Sequence, residues 1–114
     1  MGTKLSKFLY NQIVKSFIQT ITDLKEPEEA EIFIKDFFTE SELETFSKRL
    51  AVAYWLKKGR SYANIKTNLK VSNATIMGVT KMMKKKGLLL AIKKMEAEEW
   101  ANQWTERIHK FVKR

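Results

Sequence analysis

SYANIKTNLKVSNATIMGVTK, residues Ser61 to Lys81, reads as two short helices joined by a tight turn. Ile65 and Leu69 lie four apart on one face of a first helix, and Ile76 and Val79 lie three apart on a second. Val71 falls in the turn between them. Apolar residues so placed seal the small core of a helix-turn-helix. Ser72 and Asn73 suit the start of the second helix, because a short polar side chain there accepts from the free backbone N–H groups. Set end-on to a duplex, that helix brings Asn73, Ala74 and Met77 to base edges. Many helical hairpins share this spacing, so spacing alone does not decide the function.

Charge decides more. From Thr45 to Met95 there is no Asp or Glu, while the same span carries thirteen Lys and Arg residues. The whole chain has 22 basic and 13 acidic residues, so the rest of it holds nine against thirteen, a balance of −4. The net charge of +9 is therefore concentrated around the helix pair. Solvated helical surfaces interleave both signs, and a one-signed span of this length points to a polyanion, most simply nucleic acid.

Composition narrows the remaining choices. A length of 114 residues supports one domain, 1–114, and 44% apolar content supplies a core. One Pro and four Gly leave little room for β-turns or linkers. The absence of Cys rules out disulfides, thiolate metal sites and Cys nucleophiles, and suits a reducing cytoplasm. The longest apolar run, Leu50 to Leu56, is too short to span a bilayer, so no membrane partner is expected. Met1-Gly2-Thr3-Lys4-Leu5-Ser6 fits a short acylation pattern, but a plain start is the simpler reading. No clustered metal ligands and no Gly-rich phosphate loop are present, so neither a metal nor catalysis is expected.

Outward from the central pair, apolar residues spaced three and four apart predict an amphipathic helix over residues Thr3 to Leu24. Pro27 opens a second helix reaching about Phe38. Thr39 and Glu42 form a capping box for a third, whose buried face is expected to be Leu43, Phe46, Leu50, Ala53, Tyr54 and Leu56. Gly59 ends it in a left-handed conformation. After Ser61–Leu69, the reading helix is expected to continue into Lys84-Lys85-Lys86 and stop at Gly87. A last helix spans Leu88 to Val112 with a stripe of Ile92, Met95, Trp100, Trp104, Ile108 and Phe111. The result is all-α, six helices around a central helix-turn-helix. Residues 3–38 and 88–114 are expected to serve dimerisation and 39–87 to form the reading core, because such wide apolar stripes in a small domain need a partner chain.

Phe38-Thr39, Ser47-Lys48-Arg49, Leu56-Lys57-Lys58-Gly59, Ile65-Lys66 and Ala74-Thr75-Ile76 together resemble the tryptophan repressor and its small bacterial relatives. The resemblance implies an intertwined, all-helical homodimer that binds operator DNA and represses transcription. It also implies that Ser72, Asn73, Ala74, Thr75 and Met77 form the reading end, and that Lys84 contacts phosphate. With the flanking Lys70 and Lys81, these complete the candidate DNA-binding set. Arg49 and Thr75 match ligand-lining positions of the family's tryptophan pocket, and Gly78 falls where a second ligand-flanking Arg is found. Losing that planar cation removes a stacking partner for an indole and a contact for a carboxylate. Arg49, Thr75 and Gly78 thus form a candidate effector pocket in which L-tryptophan is not expected, and no cofactor is expected elsewhere. Lys70 stands where the family turn has Gly; a left-handed Lys there costs about 1 kcal/mol or more.

Alternatives stay open at several of these positions. Arg49 reads equally as a ligand or operator contact and as a charge snorkelling from the core edge. Thr75 reads equally as a contact and as a hydroxyl bonded back into its own helix. The Lys84–Lys86 run suits both a phosphate contact and a solvated helix end. The leading expectation is a sequence-specific, duplex-DNA-binding homodimer in the cytoplasm, associated with the nucleoid. An RNA or non-specific nucleic-acid binder is the second reading, and a protein-interaction module of a transcription complex the third.

Overall fold

The structure, a computed structural model, describes the backbone of residues 4–113 and the side chains of residues 4–99. The acylation pattern at Met1-Gly2 and the side chains of Trp100, Trp104, Ile108, His109 and Phe111 lie outside the described residues. Six helices and no strand are present among them: α1 (Lys7–Asp23), α2 (Pro27–Phe37), α3 (Glu40–Lys57), α4 (Tyr62–Leu69), α5 (Asn73–Thr80) and α6 (Lys86–Lys113). The all-α expectation of six helices holds.

Local chemistry sets most boundaries. Helix α1 starts at Lys7 rather than near Thr3, because the Ser6 hydroxyl accepts from the Leu9 N–H at 3.1 Å. Pro27 is the first residue of α2, where its missing N–H costs nothing. The capping box forms as expected: Glu42 N–H donates to Thr39 Oγ1 at 3.0 Å, and Thr39 N–H donates to Glu42 Oε1 at 2.9 Å. At the other end of α3, Gly59 takes φ 84°, Arg60 N–H reaches the Trp55 carbonyl and Gly59 N–H that of Leu56. That pairing closes the helix and satisfies its last carbonyls.

The chain falls into two compact units, Met1–Leu43 and Glu44–Arg114. The first is held by aromatic contacts: Phe33 stacks on Phe37 at 5.0 Å, and Phe17 and Phe38 lie at 6.0 and 5.8 Å from the same ring. No residue of α1 or α2 is buried. Lys35 Nζ donates to Glu31 Oε2 at 2.7 Å, and this bond holds the Glu31 carboxyl below the usual range.

The second unit contains the core. Val52, Ala53, Ile65, Ile76, Val79 and Ile92 are buried, with Leu69, Val71, Met83 and Leu88 packed around them. The five apolar residues of the central pair are thus all in or against one cluster. On α3 the expectation needs correction: Phe46 and Leu50 are 45% and 38% exposed, and Val52 takes the buried place beside Ala53. Residues 50–56 are apolar on every face, so periodicity could not select the inward one.

The second helix of the central pair also ends earlier than expected. Helix α5 stops at Thr80, and Gly87 lies inside the first turn of α6 rather than closing α5. From Val79 the chain tightens into i→i+3 bonds, Met82 N–H to Val79 O at 2.8 Å and Lys85 N–H to Met82 O at 2.9 Å. A helix continued from Val79 to Lys86 would carry the chain about 10 Å beyond the core before it could return. Val79 and Ile92 share one buried cluster, and burying both requires the early turn.

Candidate nucleic-acid interface

Helices α4 and α5 are joined by Lys70, Val71 and Ser72. Ser61 caps α4 by accepting from Asn64 N–H at 3.1 Å. Lys70 ends it in the left-handed region, φ 55° and ψ 49°, a geometry that glycine adopts without strain. The Lys48 ammonium approaches the Lys70 carbonyl oxygen at 3.4 Å and Glu44 Oε1 at 3.6 Å. At the far ends of the pair, the Tyr62 hydroxyl lies 2.9 Å from Thr80 Oγ1, which donates to the Ile76 carbonyl at 2.8 Å. Since Thr80 spends its proton on Ile76, Tyr62 must be the donor, and the first residue of α4 is tied to the last of α5.

The tip of α5 is open to solvent. Ser72, Asn73, Ala74 and Met77 are exposed, and Thr75 is half-buried. Ser72 Oγ accepts from Thr75 N–H at 3.1 Å, and the two hydroxyls lie 3.1 Å apart. The Thr75 hydroxyl is therefore engaged with the cap rather than bonded back along its own helix. Uncapped N–H groups and the positive end of the helix dipole make such a tip attractive to anions. Lys70 precedes it, and exposed Lys81 and Lys84 follow α5, whose eight residues span about 12 Å. Lys84 lies in the turn after the helix, not on the helix itself.

Not every cation of the acid-free span is available. Lys58 lies 3.7 Å from Glu96 and 3.5 Å from Glu99, acids placed just beyond the span. Lys48 is paired with Glu44, just before it. Arg60 stacks on the Trp55 ring at 4.0 Å and donates to Asn64 Oδ1 at 3.2 Å. Among the described residues Lys70, Lys81, Lys84, Lys85 and Lys86 form no ion pair, so the tip of α5 and the turn after it keep unneutralised charge.

Arg49, Thr75 and Gly78, 29 positions apart at the extremes, line one cleft of about 390 Å³ together with Thr45, Ala74, Val79 and Met82. An apolar groove of about 230 Å³, lined by Phe46, Leu50 and Leu88, shares Arg49, Val79 and Met82 with it. The Arg49 guanidinium sits 5.5 Å from the centre of the Phe46 ring. A Cβ placed on Gly78 would meet no atom within 4 Å, so among the described residues the cleft is open around the position where a second Arg would attach.

Sequence reasoning missed Tyr62, Thr80 and the second role of Lys48. Their contacts join residues 18 and 22 positions apart, and no local pattern announces a pairing at that distance. Among the described residues no group of His, Asp and Glu could hold a metal ion, and no helix is long and apolar enough to cross a membrane.

A profile of the family described as Trp repressor protein matches residues 12–88. The uncharacterized protein YerC of Bacillus subtilis (strain 168) is 36% identical over 64 residues, which cover 56% of this chain and 62% of YerC. The match thus spans less than two thirds of that relative's length. No solved structure gives a significant match.

Proposed function

This chain belongs to the Trp repressor protein family, a family of DNA-binding regulators, and we propose that it is a sequence-specific duplex-DNA-binding regulator, most simply a repressor, that reads its site with α5. One observation carries the reading: the capped tip of α5 is exposed, and the lysines before and after it have no acidic partner among the described residues. In this function α4 and α5 act as a helix-turn-helix. Asn73, Ala74 and Met77 meet base edges, Ser72 and Thr75 shape the helix end, and Lys70, Lys81 and Lys84 contact phosphates.

The regulator works as a homodimer at the chromosome. Sixteen large apolar side chains are exposed among the described residues, ten of them on the α1–α2 side of Leu43, and apolar surface concentrated in this way supports a protein partner. A second copy covering them would place two reading helices on one duplex, at half-sites related by two-fold symmetry. Control by L-tryptophan is not part of the proposal, because the cleft at Arg49 and Thr75 offers a planar cation on one side only.

Selecting bound sequences from random duplex DNA tests this directly. The expected product is a two-fold symmetric site. Asn73→Ala should then relax the preference at specific positions, whereas Lys84→Ala should weaken all duplexes alike and reduce the salt slope by about 1. Selection without enrichment, or both variants acting identically on selected and random DNA, would refute specific readout.

A further inference from the structure

Lys70 alone among the described non-glycine residues has positive φ. Its strained conformation falls two residues before Ser72, which caps the reading helix, so any rotation at Lys70 re-aims α5 through Val71 alone. The Lys48 ammonium lies against this residue's carbonyl, reaching it from α3 across 22 positions of sequence. Glu44, one turn before Lys48 on the same helix, lies 3.6 Å from the same ammonium, and the Lys48 side chain is only 33% exposed.

We infer that Lys48 is a positioning residue for DNA reading: its ammonium, steadied by Glu44, tethers the Lys70 carbonyl and so keeps the left-handed turn that aims the tip of α5. The inference rests on the DNA-binding function proposed above. A left-handed Lys competes with right-handed and extended turns that carry less strain. Those alternatives rotate the Lys70 peptide, and its carbonyl then turns away from α3 and loses the cation. At 3.4 Å the contact is a charge–dipole attraction rather than a short hydrogen bond, so its effect is a bias in population. Specific binding needs the aimed tip, and its apparent affinity falls with the fraction of chains that present it. Non-specific binding through lysines and phosphates needs no such aim.

The full chain carrying Lys48→Met, Lys70→Gly or both provides the test. Affinity is measured on the selected duplex and on a scrambled duplex, and the intraresidue HN–Hα nuclear Overhauser cross-peak of residue 70 reports its positive φ. Lys48→Met should weaken selected-duplex binding about fivefold, leave scrambled-duplex binding within about twofold, and reduce the Lys70 cross-peak. In the Lys70→Gly background the same change should alter selected-duplex binding by less than about twofold, because glycine adopts the left-handed turn without a tether. Equal loss on both duplexes with a shallower salt slope would make Lys48 a phosphate contact and overturn the inference. So would a loss that persists in the Lys70→Gly background, or an unchanged cross-peak. Should the wild-type chain itself discriminate no duplex, the proposed function falls, while the cross-peak still decides whether Lys48 holds the turn.

Discussion

At position 78 a glycine sits in the interior of an eight-residue helix, where it weakens the helix relative to alanine. No atom lies within 4 Å of a Cβ built there, and φ is not left-handed, so neither space nor backbone demands glycine. Gly78→Ala should therefore stabilise the fold by about 0.5–1 kcal/mol in urea unfolding; destabilisation would mean that a neighbour absent from the described residues packs against this face. The same open side argues against an indole ligand. Calorimetry with L-tryptophan should give no binding heat, and micromolar affinity would contradict the reading of the cleft. Arg49, by contrast, has work without a ligand, since it lies over Phe46 and walls both the cleft and the apolar groove.

The helix pair is fixed by ties at both ends as well as by its apolar centre. Tyr62 donates to Thr80, which donates to the Ile76 carbonyl, and Ile76 is itself fully buried. Tyr62→Phe should cost about 0.5–1.5 kcal/mol of stability, read from the shift of the urea midpoint at unchanged slope. An unchanged midpoint would show that the tie contributes nothing. At this scale much was legible in the sequence. The caps at Thr39–Glu42, Ser72 and Gly59 are short-range chemistry, and each forms where its residues stand. The end of α5 was not legible, because Thr80 to Lys85 reads as helix locally and only the return of Ile92 to the core forces the turn. Val52 escaped for a related reason: in a stretch apolar on all sides, the inward face is chosen by partners distant in sequence. Arg49, Thr75 and Gly78 were brought together by resemblance, not by any spacing the chain displays.

Across the whole molecule, charge and apolar surface divide the labour. The acid-free span looked like one uniform cation, but Glu44, Glu96 and Glu99 withdraw Lys48 and Lys58 from it. Among the described residues the lysines left without an ion pair include Lys70, Lys81, Lys84, Lys85 and Lys86 around α5 and the turn after it, along with Lys57, Lys66, Lys93 and Lys94 on the neighbouring helices. The apolar surface lies chiefly on α1 and α2, where no residue is buried. Under the proposed function both features are met by partners, one a polyanion and the other a second copy of the chain. In the proposed function α5 reads sequence while the lysines supply affinity. Titration of the selected duplex and a scrambled duplex of equal composition over a series of salt concentrations separates the two roles. Log affinity should fall linearly with log salt for both, with the selected duplex tighter by about a thousandfold or more. Equal affinity for the two duplexes, or for an RNA of the same length, would contradict that function.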